Sequence, residues 1–285
     1  MRLAVLASPS SWYLADLCRA AAGRHAVIAA SFGQLTAGLG GGPAATAAGL
    51  DLAAVDAVLV RTMPPGSLEQ VVFRMDVLAR LETAGTRVVN PPKALEAAVD
   101  KYLALAKLEA AGLAVPRTIV CQTVDDAMAA FDRLGGDVVL KPLFGSEGRG
   151  IARLSDEAIA VRSFKALAQV QAVFYLQEFI PHPGHDLRVF VCGRRMLAMR
   201  RVHPTDWRTN IARGARGEAI AVTDELAELA RRAADAVGAS LAGVDLLPGR
   251  GRLWAIEVNA VPGWKGLSAA CQTDVAAMVL EHLAE

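Results

Sequence analysis

Asp245, Glu257 and Asn259 are the residues whose types and spacing speak most directly of chemistry. They lie in two apolar runs, 242–247 and 253–259, separated by Pro248-Gly249-Arg250-Gly251-Arg252. That pattern reads as a β-hairpin with a loop longer than two residues. Alternation along the second run puts Glu257 and Asn259 on one face and Trp254, Ile256 and Val258 on the other. Asp245 reaches the same neighbourhood from the partner strand. Two carboxylates and an amide oxygen form an all-oxygen set suited to Mg²⁺ or Mn²⁺. Because Mg²⁺ keeps waters and shares its sites with substrate phosphates, a nucleotide is expected beside it. The plainer alternative is a solvated hairpin face, and these three residues alone leave both open.

Lys141 closes the apolar run Val138-Val139-Leu140 and is followed by Phe144-Gly145-Ser146-Glu147-Gly148-Arg149-Gly150. A glycine loop between antiparallel strands can bring its N–H groups close to phosphates. It is not a P-loop, which needs Gly-Lys-Ser/Thr opening a helix; a plain hairpin turn is the alternative. Of the 30 basic residues only six are Lys, so a lysine beside this loop is informative. The sequence has no convincing Ser/His or Cys/His arrangement for nucleophilic catalysis.

The formal net charge of +1 argues against a nucleic-acid footprint or a polybasic membrane surface. No run approaches the ~18–20 apolar residues of a membrane span, and residues 1–7 are too short for a signal sequence. A cytoplasmic protein is expected. Cys18, Cys121, Cys192 and Cys271 are far apart and indicate free thiols.

The elements that must position these groups begin with strand–helix alternation over the first 90 or so residues. Strands are predicted at 3–7, 26–30, 57–60 and 88–90, with helices capped by Ser11 and by a Ser67–Gln70 capping box and a Gly/Ala-rich loop over 38–49. This is a parallel α/β unit without the G-x-G-x-x-G of a dinucleotide site. Pro91-Pro92 predicts an extended connection. Beyond it come a helix from Lys101 capped by Asp100, strands at 117–121 and 138–141, and a helix begun by Thr123. Further strands are predicted at 174–180, 186–191 and 196–201, then a basic loop 207–214, a helix from Thr223 to Gly238 and a closing helix 273–283. His182 and His185 read as loop residues, His203 and His282 as ordinary polar positions, and Trp207 and Trp264 as packing.

The order Lys101, Lys141, glycine loop, Gln177-Glu178-Phe179-Ile180, Asp186-x-Arg188, Arg208-Thr209-Asn210 with Arg213, then Asp245, Glu257 and Asn259 resembles the ATP-grasp superfamily. Within it the closest resemblance is to the RimK-type amino-acid ligases, over roughly residues 91–263. The resemblance implies an α/β (α+β) ATP-grasp fold of three domains. These are an N-terminal Rossmann-like parallel α/β domain (1–92), a small central domain with the glycine-rich lid (93–175) and a C-terminal domain with the metal site (176–285). It places ATP between the last two. Lys101 and Lys141 would contact the α- and β-phosphates, and Gly145, Ser146, Gly148 and Gly150 would belong to the lid. The backbone of Glu178, Phe179 and Ile180 would hold adenine, and Asp186 the ribose side. Arg208, Thr209 and Asn210 would sit near the triphosphate, Arg213 and Arg188 in catalytic positions, and Asp245, Glu257 and Asn259 on two Mg²⁺ ions, with Mn²⁺ as a substitute.

Such groups suit attack of a carboxylate on a γ-phosphate, which brings two anions together and needs cations to neutralise the developing charge. The acyl phosphate formed is then taken by an amine, with a lid excluding water. Val60-Arg61-Thr62 and residues 72–78 resemble the RimK-type ligases that add L-glutamate to tetrahydromethanopterin. Arg61 and Arg74 are then candidates to grip substrate carboxylates, a surface arginine being the alternative for each. Lys265, in a loop expected after the metal strand, is a third substrate candidate. The expected partners are an amino acid and a small carboxylate acceptor, with no nucleic acid and no membrane; a homo-oligomer is expected only by analogy. The alternatives are a ligase acting on a protein or peptide C-terminus, a ligase for another glutamylated cofactor, and an ATP-binding module without turnover.

Overall fold

A computed structural model of the chain describes residues 1–145 and 148–285. The N-terminal part contains β1 (Arg2–Leu6), α1 (Trp12–Ala21), β2 (Ala26–Ala30), β3 (Leu35–Ala37), β4 (Ala45–Ala47), β5 (Leu50–Asp51), β6 (Ala57–Val60), α2 (Leu68–Thr83) and β7 (Arg87–Val89). Strands β2-β1-β6-β7 form a parallel sheet. Its inner strands are continuous apolar runs, as expected where helices cover both faces. Ser11 caps α1, and the Ser67–Gln70 capping box is formed in both directions. The 38–49 stretch is not all loop: Ala45 and Ala47 are buried, and β4 is the middle strand of a small antiparallel sheet. Small apolar side chains at alternate positions suffice for a strand there, though the glycines mask the signal.

The central part runs α3 (Pro92–Val99), α4 (Lys101–Ala110), β8 (Thr118–Cys121), α5 (Val124–Arg133), β9 (Val138–Lys141), β10 (Ala152–Leu154), α6 (Glu157–Ala168) and β11 (Phe174–Glu178). Its antiparallel sheet has the order β10-β9-β11-β8. Pro92 does not continue an extended connection but opens α3, a first-turn position that needs no N–H donor. The division at 175/176 falls inside β11, which belongs wholly to this sheet.

The C-terminal part is β12 (His185–Cys192), β13 (Arg195–Val202), β14 (Arg216–Ile220), α7 (Asp224–Val237), β15 (Leu241–Gly249), β16 (Arg252–Asn259), α8 (Lys265–Cys271) and α9 (Val275–Ala284). An antiparallel sheet of order β14-β13-β12-β15-β16 carries the acids. The hairpin loop is tighter than expected. Gly249 pairs with Arg252, and Arg250 and Gly251 both have positive φ, 50° and 73°, the geometry of a two-residue type I′ turn. Residues 263–266 are likewise not an open loop, since Lys265 begins α8.

The reverse face of the hairpin packs Val244, Leu246, Ala255 and Val258 into one core with Leu105 and Leu108 of α4 and Ala233 and Val237 of α7. Each fully buried Val or Leu contributes about 1.5–3 kcal/mol, so the strands that present the acids are rigidly backed. Phe190, Trp264 and Leu280 join α9 to the N-terminal sheet through Leu3 and Leu17. Among the described residues no helix is long and apolar enough to cross a membrane.

Candidate active site

Asp245 lies opposite Glu257, and Gly243 opposite Asn259, so all three oxygen-bearing side chains share the face expected of them. The alternation on the other face is different. Leu246 pairs with Ala255, which leaves Ile256 as the extra residue of a β-bulge. The bulge puts Ala255, not Ile256, in the core with Val258, and turns Ile256 toward the cleft together with Leu247 and Glu257. The Asn259 Oδ1 accepts the Val261 N–H at 2.8 Å, which fixes the amide while leaving a lone pair. Among the described residues Glu257 has no ion-pair partner, although its charge is felt at Lys101 and Lys141.

Asp245 is held otherwise. Arg188, its cross-strand neighbour on β12, donates to both carboxylate oxygens, Nε to Oδ1 at 2.7 Å and Nη2 to Oδ2 at 2.8 Å. Arg201 of β13 adds an Nη2 contact to Oδ2 at 2.8 Å. Arg201 also holds its own cross-strand neighbour Asp186, through Nε at 2.7 Å and through Nη2. The result is a buried row of alternating charge, Asp186, Arg201, Asp245 and Arg188. Burial acts to raise the Asp245 pKa, but the two guanidinium groups outweigh it and hold the carboxyl at about 2. Arg201 carries no role in the sequence reading, yet it is 2 % exposed and central to this row.

The lysines face the acids across a cleft between the central and C-terminal sheets. Burial lowers the Lys141 pKa to about 8 and lowers that of Lys101. Lys141 Nζ donates to Gln177 Oε1 at 2.7 Å, and Gln177 in turn donates to the Thr118 hydroxyl at 3.0 Å. Lys101 Nζ donates to the carbonyl of Gly145 at 2.8 Å, on the near end of the glycine loop. Gly145, Gly148 and Gly150 all have positive φ, the conformation their residue type allows. Gly148 rests against the Asn210 side chain and near Arg213, so the loop meets the basic segment. Ser146 lies outside the described residues.

One cleft is lined by Lys101, Lys141, Glu178, Phe179, Ile180, Asp186, Arg208, Thr209, Asn210, Asp245 and Glu257. Its apolar end adds Val139, Ile151, Leu247 and Ile256, enough to sandwich a flat base, and its polar end holds the lysines and acids. The N–H groups of Glu178 and Phe179 are already donated, to Arg117 O at 2.9 Å and Asp137 O at 3.0 Å, which leaves Ile180 as the better-placed backbone group for a base edge. The Glu178 carboxylate accepts from the Arg117 N–H at 3.0 Å and from Arg250 at 3.0 Å.

Asp206 gathers the basic segment. It accepts from Arg208 Nε and Nη2, at 3.0 and 2.7 Å, and sits 3.8 Å from Arg213 Nε. His203 Nδ1 accepts the N–H groups of Thr205 and Asp206, so this histidine shapes the turn. Trp207 packs edge-on to Phe179 at 5.8 Å, and His182 also lines the cleft.

Arg188 adjoins the cleft through Asp245 and Arg213 through Asp206, while Asn259 lies two residues beyond Glu257 on the same strand. Arg61, Arg74 and Lys265 are not part of its lining. Neither Arg61 nor Arg74 is a surface arginine: they are 4 % and 6 % exposed. The Arg61 guanidinium lies beside the edge-to-face pair of Tyr13 and Trp264, 4.7 and 4.3 Å from their ring centres, and donates to Pro262 O at 2.8 Å. Its Nε and Nη1 have no partner among the described residues, and burial lowers its pKa to about 10. Arg74 donates to Pro64 O at 2.8 Å. Lys265 is exposed, 5.5 Å from the Trp12 ring.

A second recess of about 420 Å³ lies between α4 and β8, lined by Tyr102, Glu109, Arg117 and Arg133; it shares only Pro116 with the cleft and holds none of these acids or lysines.

The donor set fits Mg²⁺: two carboxylates and an amide oxygen share one face of the hairpin, and Glu257 is without a counter-ion among the described residues. The family model of the RimK-like ATP-grasp domain matches residues 98–283. The chain is 34% identical over 262 residues to a tetrahydromethanopterin:alpha-L-glutamate ligase of Methanosarcina acetivorans, covering 81% of each chain. It also resembles the structure of the ATP-grasp ligase PsnB complexed with minimal precursor, Mg and ADP (TM-score 0.78, 25% identity, 99% of this chain and 96% of that one). A RimK domain ATP-grasp protein from Sphaerobacter thermophilus is similar at a TM-score of 0.77 and 26% identity, over 99% of both chains. A mixed α/β scaffold, a cleft with two lysines beneath a glycine loop, and an Asp/Glu/Asn hairpin are thus found where the sequence model also matches: the chain belongs to the RimK-like ATP-grasp ligases.

Proposed function

We propose that the chain joins L-glutamate to the carboxylate of a pterin acceptor of the tetrahydromethanopterin kind, consuming ATP with two Mg²⁺ ions, or Mn²⁺ in their place. The observation that carries the ligase chemistry is Glu257, without an ion-pair partner among the described residues, beside Asp245 and across a cleft from the buried Lys141 and the partly buried Lys101. The likeness over 81% of the Methanosarcina ligase supports the substrate.

In this reading the acceptor carboxylate oxygen attacks the γ-phosphorus, and ADP leaves. The amine of glutamate then attacks the acyl carbon, inorganic phosphate leaves and a proton is released. Lys101 and Lys141 bind the α- and β-phosphates, and the glycine loop covers them. Ile180 presents backbone to the base, Asp186 faces the ribose side, and Arg208, Thr209 and Asn210 meet the triphosphate. Arg213 and Arg188 stabilise charge at the transferred group. Asp245, Glu257 and Asn259 hold the metal, which when bound neutralises charge on the transferring phosphoryl group. Of three units, 1–92, 93 to the end of β11, and the remainder, the last two line the cleft. A cytoplasmic setting and small-molecule partners fit this chemistry.

The PsnB likeness favours a second reading, in which the acceptor is a peptide carboxylate. ADP release with Mg²⁺-ATP and L-glutamate, with and without a reduced pterin bearing a terminal carboxylate, separates the two. Release that needs both substrates and disappears in Glu257→Gln supports the pterin ligase. Nucleotide binding without pterin stimulation rejects the pterin and directs the assay to peptides.

A further inference from the structure

We propose that the recess between α4 and β8 is an effector site for a small apolar or aromatic monocarboxylate, whose binding there weakens nucleotide binding in the neighbouring cleft. The coupling rests on the ATP-site reading above, while the recess itself shares only Pro116 with that cleft.

Tyr102, Leu105, Ala106 and Glu109 follow one another at helical spacing, so one face of α4 forms a wall of the recess. Val115, Ile119 and Leu134 complete its apolar lining. Leu105 and Val115 belong to the core that backs the hairpin, and Ile119 and Leu134 to the core of the central sheet, so the walls come from two cores. A volume of about 420 Å³ is that of a small-molecule site, mostly apolar with a few placed polar groups.

The polar groups define the ligand. Among the described residues the side chains of Arg133 and Glu109 have no hydrogen-bond or ion-pair partner. Arg117 makes only long bonds through its guanidinium, Nε to Glu178 Oε2 at 3.3 Å, Nη1 to Arg133 O at 3.4 Å and Nη2 to Leu134 O at 3.3 Å. Two guanidinium groups at an apolar wall suit a carboxylate head on an apolar body. Glu109 on the same lining repels a second negative charge, which disfavours phosphates and dicarboxylates. The Tyr102 ring, 56 % exposed, is available to lie against an aromatic body.

Two routes join this recess to the cleft. Thr118 lines the recess and accepts from Gln177 Nε2 at 3.0 Å, and Gln177 Oε1 in turn holds Lys141 at 2.7 Å. Arg117 pairs with Glu178, which precedes Phe179 and Ile180 in the lining of the cleft. A carboxylate head draws Arg117 from Glu178 at little cost, since the arginine side chain is 63 % exposed. The buried Glu178 carboxylate then loses part of its counter-charge beside the segment that meets the base. Nucleotide and monocarboxylate therefore oppose each other, and by linkage each weakens the other by the same factor.

The test uses the full chain with Mg²⁺, ADP, and phenylacetate or its neutral amide, the last two followed by ligand-observed NMR. Phenylacetate is expected to bind and the amide not. Arg133→Ala, an exposed change that keeps the carbonyl held by Arg117, should weaken phenylacetate about threefold or more with ADP affinity unchanged. Ala106→Phe, which fills the recess, should abolish phenylacetate binding. Saturating phenylacetate should raise the Kd for ADP to a plateau at least about fivefold higher. Equal binding of acid and amide, binding of neither, or phenylacetate affinity unchanged in folded Arg133→Ala overturns the proposal. So does a Kd for ADP that climbs without a plateau, which would put phenylacetate in the cleft. Normal ADP binding that bound phenylacetate does not alter overturns the effector role alone. Failure of wild type to bind ADP without phenylacetate overturns the ATP-site reading, and the effector role with it.

Discussion

Glu178, the last residue of β11, accepts a hydrogen bond at 3.0 Å from Arg250, the first residue of the two-residue turn between β15 and β16. The central sheet is thereby fastened to the hairpin that carries Asp245, Glu257 and Asn259, on the apolar side of the cleft. The same carboxylate accepts the Arg117 N–H, and its side chain is only 4 % exposed. Glu178→Gln should cost about 1–3 kcal/mol, because a buried acceptor of several donors is weakened. Arg250→Ala should cost less than about 1 kcal/mol, since that side chain is half-exposed. Urea denaturation of the two variants measures the contrast.

A pH dependence follows from the same group. Burial tends to raise the Glu178 pKa, but the Arg117 amide and Arg250 outweigh it and lower it. A lowered folded-state pKa contributes stability that is present above the unfolded value of about 4.3 and is lost as pH falls through the folded value. Glu178→Gln should therefore flatten the acid side of the stability profile below about pH 4.3, and a wild-type slope there would contradict this.

Two of the proposed metal ligands should differ in what they contribute to stability. Asp245 balances two buried guanidinium groups, so Asp245→Asn leaves them without their full counter-charge, at a cost of roughly 3–5 kcal/mol. Glu257 has no ion-pair partner among the described residues, and Glu257→Gln should change stability by no more than about 0.5 kcal/mol. Turnover in Glu257→Gln should nonetheless fall by at least on the order of 100-fold, since groups behind a metal ligand already count for 10–100-fold. Melting curves and ADP release on the same preparations show whether the two effects separate.

Lys141 trades stability for anion binding. Its pKa falls from 10.5 to about 8 through burial. Between those values the unfolded chain holds a proton that the folded chain has released, so stability rises as pH climbs from about 8 toward 10.5, and below 8 the full penalty applies. That penalty corresponds to about 3 kcal/mol. Lys141→Met should raise the unfolding free energy at pH 7 by about 1–3 kcal/mol, after loss of the Gln177 hydrogen bond, while abolishing ADP binding. A destabilised Lys141→Met would show that the ammonium is better solvated than its burial implies.

How far the sequence carried depended on where local pattern and tertiary geometry agree. Apolar strands such as β1, β6 and β9 and the caps at Ser11, Ser67 and Thr223 are local signals, and they appear as expected. The Asp245–Glu257 pairing was legible because it needs only a hairpin. The bulge at Ile256 was not, because nothing in the run Trp254–Val258 departs from alternation; only the pairing with Leu246 reveals the extra residue. Arg201 was missed although a signal existed. Cys192 pairs with Arg195 across a two-residue turn at Gly193, and extending that register puts Arg201 opposite Asp186. Its contact with Asp245 needs a third strand, β15, whose neighbour no local pattern announces. Arg61 and Arg74 look like surface residues in sequence because charge is normally solvated, and their burial comes from rings and carbonyls supplied by distant segments.

Gly148 meets Asn210 where the glycine loop crosses the basic segment, and its φ is +71°. A methyl group there would strike the Asn210 amide and strain the backbone by about 1 kcal/mol or more. Gly148→Ala should therefore lower stability by about 1 kcal/mol and, if the loop covers the phosphates as proposed, lower kcat by about tenfold. Asn210→Ala should cost less activity in the Gly148→Ala background than in wild type, because the contact it removes is already disturbed. Steady-state ADP release for the single and double variants supplies the comparison, and strictly additive losses would argue against a steric origin.

The most specific expectation concerns Arg61. Its guanidinium packs beside the edge-to-face pair of Tyr13 and Trp264, and its Nε and Nη1 have no partner among the described residues, a costly arrangement for a merely structural arginine. One hydrogen bond, to Pro262 O, links it to the turn that follows Asn259. If its spare donors serve an acceptor carboxylate when the Pro262–Trp264 turn shifts, Arg61→Met should keep the fold, since apolar contact with both rings is retained and an unsatisfied charge is removed. ADP affinity should also stay within about twofold, whereas the KM for the acceptor should rise at least about tenfold, the equivalent of 1.4 kcal/mol. A stable variant with unchanged acceptor KM would show that Arg61 serves only to hold the N-terminal sheet against that turn.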